Sequence, residues 1–178
     1  AWGVWDFRGF LMNGTDINQP ANMKGKKIRV IENALYVRTL QSLGGNPVPM
    51  AWPEVYTALQ QKTIDGVETN YHGMGDSKLY EVAKSLAVTD HIFSATVYVM
   101  NMKKFQEIVL KAARAAGETM RAGAAKANED AIALMEKNGV KIIRPDRAPF
   151  ESATKGVHNF FSTMVGADLI QEVLNAQR

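Results

Sequence analysis

In the stretch Lys24-Gly25-Lys26-Lys27-Ile28-Arg29-Val30-Ile31 a turn glycine and three lysines precede a short β-branched run, the pattern of a strand entered from solvent. Downstream of it, Leu35, Tyr36, Val37, Leu40 and Leu43 give a helix-like stripe over residues 34–43, and Gly44-Gly45 supplies a left-handed stop. Asn46-Pro47-Val48-Pro49-Met50 then runs extended, because each proline disfavours helix in the residue before it. Pro53 suits the first turn of a second helix, which Val55, Tyr56, Ala58 and Leu59 continue to Gln61. Ile64-Asp65-Gly66-Val67-Glu68 follows as another short strand or turn. Strand, helix, strand, helix, strand in that order predicts an α/β fold, a mainly parallel sheet flanked by helices, with ligands at the carboxyl ends of the strands.

The rest of the chain fits around this unit. Phe7-Arg8-Gly9-Phe10-Leu11 is strand-like, a helix is expected over about residues 77–85, and residues 86–89 and 95–100 read as two extended segments. From Phe105 to Asn138 the chain is dense in good helix formers and Gly139 closes it, so one long helix is expected, with a bend or break near Gly117 and Gly123. Val140-Lys141-Ile142-Ile143 alternates like an edge strand, Pro145 and Pro149 mark a turn, and two helices fill the remainder.

A length of 178 residues is that of one ordinary domain. The net charge of +3 argues against a surface built for a phosphate backbone, so nucleic acid is not expected as a partner. With 46% hydrophobic and 22% charged residues the chain should fold on a real core. Zero cysteines exclude disulfides, thiol nucleophiles and Cys-ligated zinc, and leave periplasm and cytosol equally open. No apolar run reaches the roughly 18 residues a membrane helix needs. The chain begins Ala1-Trp2-Gly3-Val4-Trp5, without initiator Met or signal-peptide pattern, so a mature or trimmed chain is expected.

Catalytic motifs are absent: there is no Gly-x-Ser-x-Gly elbow, no Walker loop and no Gly-x-Gly-x-x-Gly turn. His72, His91 and His158 lie far apart, off metal-ligand spacing, and read as structural or surface residues; no metal or cofactor is expected. Asp65 and Glu68 form either an acid/base pair or, more commonly at such a spacing, a turn cap and a strand-end side chain. Arg29 is more informative. An arginine inside an apolar strand must leave the sheet toward water or meet a carboxylate, either a ligand's in a pocket or a neighbouring acid's in a salt bridge. Arg8 poses the same question, and two converging guanidiniums would form an anion site. Trp52, at a strand-to-helix junction, belongs either to the ligand crevice or to the core.

Met23-Lys24-Gly25-Lys26-Lys27-Ile28-Arg29-Val30, Leu43-Gly44-Gly45-Asn46-Pro47-Val48-Pro49-Met50 and Glu54-Val55-Tyr56-Thr57-Ala58-Leu59-Gln60-Gln61 together resemble the DctP-type solute-binding proteins of tripartite ATP-independent periplasmic (TRAP) transporters. The likeness continues through Ile64-Asp65-Gly66-Val67-Glu68, Leu79-Tyr80-Glu81-Val82-Ala83-Lys84 and Asn138-Gly139-Val140-Lys141-Ile142, over nearly the whole chain. It implies a type II periplasmic-binding-protein-like fold whose two lobes close on a small organic acid, a carboxylate, in the periplasm and pass it to the TRAP membrane permease. By the same resemblance Arg29 is the arginine that grips the carboxylate, Arg8 is a second arginine on the preceding strand, and Trp52 is a pocket aromatic. Where the family has an Asn that touches ligand after Asp-Gly-x-Glu, this chain has Thr69 with Asn70 one place later, so either carries the contact beside Glu68.

The resemblance also divides the chain. Residues 6–93 and 131–150 would form the second lobe, 94–130 a return segment to the first, and 151–178 the C-terminal helices. The N-terminal stretch that builds most of the first lobe is missing from this sequence, so a fragment is expected. Its strand from Thr96 to Asn101 would lack neighbours, and the chain would self-associate by exchanging the long helix between two copies. Phe105-Gln106 runs straight into Glu107 where the family has a Pro-containing turn, which fits a trimmed loop. Two functions of other classes stay open on the residues alone. One is a small enzyme on an organic acid with Glu68 as base and Arg29 as clamp; the other is a ligand-sensing domain that reports to a signalling partner.

Overall fold

The computed structural model describes residues 2–99 and 106–176. A long first strand, β1 (Trp2–Met12), precedes the unit predicted around Arg29. Gly25 takes the left-handed conformation at φ 77°, which turns the chain into β2 (Lys27–Val30). Helix α1 (Ala34–Ser42) is capped by the Asn33 side chain, which accepts from the Leu35 amide at 2.8 Å, and it stops where Gly44 reaches φ 87°. Strand β3 (Asn46–Pro49) lies at the sheet edge, where its two missing amide hydrogens cost no ladder bond. A single 3₁₀ turn, Trp52–Glu54, leads into α2 (Val55–Gln60), and β4 (Gly66–Asn70) is buried along its whole length.

Helix α3 (Tyr71–Asp76) follows at once, then a 3₁₀ turn at Leu79–Glu81, β5 (Ser85–Ala87), β6 (Phe93–Val97), α4 (Gln106–Lys137), β7 (Lys141–Ile143), α5 (Ala148–Val165) and α6 (Ala167–Ala176). The sheet order is β3-β2-β4-β1-β5-β7, and β6 pairs with the first half of β1. The pairs β2 with β3, β2 with β4 and β5 with β7 are parallel, as expected. Inserted between them, β1 runs antiparallel to β4 and β5, and this makes the whole sheet mixed.

Alternation along the strands builds two cores. Leu11, Val67 and Leu86 face α2, α3 and α4, where Leu59, Met74 and Met135 are fully buried. Phe10, Met12, Ile28, Val30 and Ala87 face the other way, onto Leu40 and Leu43 of the α1 end and Phe150 of α5. The helix expected over residues 77–85 is not formed. Helix comes earlier, in α3, and Lys78 enters the left-handed region at φ 53°, which breaks any continuation. Helix α4 runs unbroken past Gly117 and Gly123. Of the strand expected over 95–100, residues 95–97 lie in β6; Met100 and Asn101 fall outside the described residues, as does Phe105 of the expected trimmed junction.

Candidate functional site

At the carboxyl ends of β2 and β4 lies a cavity of about 670 Å³ whose wall includes Arg8, Arg29, Trp52, Thr69 and Asn70, five of the six residues singled out in the sequence. Arg29 is 4% exposed. Its Nε donates to the Met50 carbonyl at 2.9 Å, and its guanidinium sits 5.3 Å from the centre of the Trp52 ring. Among the described residues no carboxylate lies within salt-bridge distance of it. Burial, opposed by Glu68 and reinforced by Arg8, pulls its proton affinity below the usual arginine value. An arginine stays charged even so, which leaves a buried positive charge without a counter-ion among the described residues. Trp52 therefore belongs to the cavity wall and not to the core.

Arg8 is equally buried but paired. Its Nε is ion-paired with Glu68 Oε1, and its Nη2 donates to Glu68 Oε2 at 2.9 Å and to the Glu68 carbonyl at 3.3 Å. The register explains the meeting. Arg8 lies opposite Asn70 and Glu68 opposite Phe10, so the two side chains are diagonal neighbours on one face. Tyr36 of α1 lies under the guanidinium, 4.8 Å from ring centre to Cζ. Glu68, the sixth, is set apart from the other five: it is 2% exposed, absent from the cavity wall, and has both carboxylate oxygens on Arg8.

Behind Glu68 stands His91, with Nε2 3.6 Å from Oε1, Nδ1 2.7 Å from the Thr89 hydroxyl, and its ring stacked on Phe10 at 4.4 Å. Burial alone would push the Glu68 carboxyl up; the neighbouring His91 ring and the Arg8 guanidinium outweigh it, so the carboxyl stays below its usual range. At 3.6 Å the histidine is beyond hydrogen-bond reach, which leaves Arg8 as the direct partner. Tyr71 completes the support. Its hydroxyl donates to Asp90 Oδ1 at 2.6 Å and lies 3.3 Å from the Arg8 carbonyl, and burial followed by the Asp90 bond makes the phenol harder to ionise.

Asn70 serves twice. It lines the cavity, and its Oδ1 accepts from the Gly73 amide at 2.9 Å and caps α3. The sequence reading missed Tyr36, His72, Asp76 and Ser94, which also line the cavity, and it gave His91 no part in the site. Ser94 carries a signal only in three dimensions: its hydroxyl oxygen is buried without a hydrogen-bond partner among the described residues. Two guanidiniums and one carboxylate give a buried net charge of one positive unit at strand ends, the makings of an α/β anion-binding protein.

The family model for bacterial extracellular solute-binding protein, family 7 (DctP), matches residues 1–163, and the chain belongs to that family. The 2,3-diketo-L-gulonate-binding periplasmic protein YiaO of Escherichia coli is 33% identical over 172 residues, 90% of this chain and 52% of the relative. A crystal structure of a TRAP periplasmic solute-binding protein from Ralstonia eutropha, with bound (S)-2-acetolactate, superposes with a TM-score of 0.91 at 29% identity, covering 100% of this chain and 62% of its own. Another, from Roseobacter denitrificans with bound β-D-glucuronate, gives 0.89 at 29% identity, covering 96% and 60%. The chain spans about half the length of the curated relatives it matches. Among the described residues no helix is long and apolar enough to cross a membrane.

Proposed function

We propose that this chain carries the carboxylate-gripping part of a TRAP solute-binding protein, which captures a small organic acid in the periplasm and delivers it to the TRAP membrane permease. The observation that carries the reading is Arg29, a buried guanidinium facing a cavity with no carboxylate among the described residues to pair with. A bound carboxylate supplies the missing charge, with charge-assisted bonds worth about 1.5–3 kcal/mol each in a site that excludes water. The role is binding without turnover: Glu68, the base an enzyme would need, is held by Arg8 behind the cavity wall. On this reading residues 6–93 and 131–150 form the gripping lobe and 94–130 the return segment.

The test is a thermal-shift screen of the full-length protein with D-glucuronate, D-erythronate and (S)-2-acetolactate, acids bound by structural relatives. A ligand at 100 times its Kd stabilises the folded state by about 2.7 kcal/mol, so at least one acid should raise the unfolding temperature; silence from all three would count against the reading. Trp52 provides a second readout. Ligand should change the intrinsic fluorescence, and Trp52→Phe should lose most of that change, whereas full retention would place the responding tryptophan elsewhere.

The 178-residue chain on its own is expected to bind weakly and to self-associate. Strand β6 has β1 as its one strand partner among the described residues, and Phe93, Val97 and Val99 on or beside it are 48%, 65% and 87% exposed. Ile108 near the start of α4 is 70% exposed. Such a surface favours pairing with a second copy. Sedimentation at low micromolar concentration should show dimers or larger species, and a stable monomer that binds an acid tightly would refute the expectation.

A further inference from the structure

One end of the sheet carries a row of lysines. Backbone hydrogen bonds of 2.7–3.1 Å tie the strand ends there into a continuous line: the Asn46 amide donates to the Lys26 carbonyl, Asp65 to Lys27, Asn13 to Asp65, Lys84 to Met12 and Lys141 to Lys84. Lys24 stands three residues before Lys27, and Lys62 three before Asp65. Lys26 is half-buried and the other five are exposed. The carboxylates in the row are already engaged: Asp16 is ion-paired with Lys141, and Asp65 Oδ2 accepts from the Lys27 amide at 2.7 Å. Lys84 Nζ donates to the Asn138 carbonyl at 3.1 Å, next to Glu136 and Lys137, which add one charge of each sign. Among the described residues Lys24, Lys26, Lys27, Lys62 and Lys84 have no ion pair.

This row lies away from the anion site. It runs along the amino ends of β2 and β4, whereas the Arg29 cavity opens at their carboxyl ends. It also lies at the Met12 end of β1; the exposed apolar residues of β6 belong to the Trp2 end, roughly 30 Å off at about 3.3 Å per residue. The chemistry of the row selects its partner. It holds no arginine and no exposed aromatic or large aliphatic side chain, the anchors from which a protein interface draws most of its energy. Lysines are hydrated point charges on flexible stems, suited to a surface of many mobile phosphates, where the summed potential and not one fitted partner holds them. We propose that this end of the molecule rests on a membrane surface rich in anionic phospholipid, held by charge alone, with the Arg29 crevice turned away from the bilayer. The proposal goes beyond the carboxylate-binding reading and does not depend on it.

Co-sedimentation of the full-length protein with vesicles tests it. Vesicles of phosphatidylglycerol and phosphatidylethanolamine in equal parts should bind the protein at about 20 mM salt and release it at about 0.5 M, where screening leaves only a few ångströms of reach. Phosphatidylcholine vesicles should not bind it. One lysine beside an anionic surface is worth about a fivefold change in partition, so the triple variant Lys24→Gln, Lys27→Gln, Lys62→Gln should bind about tenfold more weakly or worse. A second triple variant, Lys111→Gln, Lys126→Gln, Lys155→Gln, removes the same charge from α4 and α5 and should bind as the parent does. All six side chains are exposed, so both variants should fold. Failure of the anionic vesicles to bind at low salt, binding that salt leaves unmoved, or equal losses in the two triple variants overturns the proposal. Binding that appears only when the vesicles carry the TRAP permease overturns it too, and assigns the row to a protein partner instead.

Discussion

Arg29→Ala is expected to weaken carboxylate binding by about 2–5 kcal/mol, the range for truncating one partner of a buried, hydrogen-bonded charge pair. The size follows from the setting: the guanidinium is out of water, held in place through Nε by the Met50 carbonyl, and has no carboxylate among the described residues to fall back on. Removing it leaves the ligand's charge buried and unanswered. Arg29→Lys should recover only part of the loss, because an ammonium cannot reproduce a planar fork. Arg8→Ala should weaken binding less, since Glu68 already absorbs most of that arginine's charge. Calorimetry on the full-length protein checks all three, and unchanged affinity in Arg29→Ala would remove the residue from the site.

The second large effect is on stability. Glu68→Ala strands the Arg8 guanidinium in a buried position, and breaking a buried pair from one side costs about 3–5 kcal/mol. Urea denaturation measures this, and a loss below about 1 kcal/mol would mean that Arg8 finds water instead. The same carboxyl, held down by its His91 and Arg8 neighbours, sets an acid dependence. The folded Glu68 carboxyl is held below its ordinary value of 4.5, so it contributes stability that is fully present above that pH. That contribution fades as the pH falls through the lowered folded value. Glu68→Gln should therefore be less stable at neutral pH and lose less further stability on acidification than the parent.

Much of this was written in local chemistry. The parallel unit β2-α1-β3-α2-β4 is punctuated by Gly25, Gly44 and the prolines of β3, and each marker acts on its own immediate backbone. Arg29 stood out because a charge in an apolar strand demands an answer anywhere. Helix α3 left no such trace, since Gly73 and Gly75 are poor helix formers. It forms because Asn70 caps it and because Gly75 lies flat against Ala131 and Leu134 of α4, contacts made across more than fifty residues. Tyr36, Asp76 and Ser94 reach the cavity from three separate elements for the same reason, and His91 joins Glu68 only once β5 has settled beside β1. Glu68 itself was legible as a residue of interest, but its pairing with Arg8 was not, because the register opposite Phe10, which aims it at Arg8, exists only in the folded sheet.

Gly9, between Arg8 and Phe10, has a consequence for engineering. A methyl group there would come within 2.6 Å of the Ala87 carbonyl oxygen on one strand and 2.7 Å of the Tyr71 ring. The obstacle is half backbone, so trimming Tyr71 alone does not open the position. Anyone diversifying this cavity to accept new acids must treat residues 8–10, Tyr71 and Ala87 as one inherited block, and place the variable codons on the wall that α1, the Trp52 turn and α3 provide.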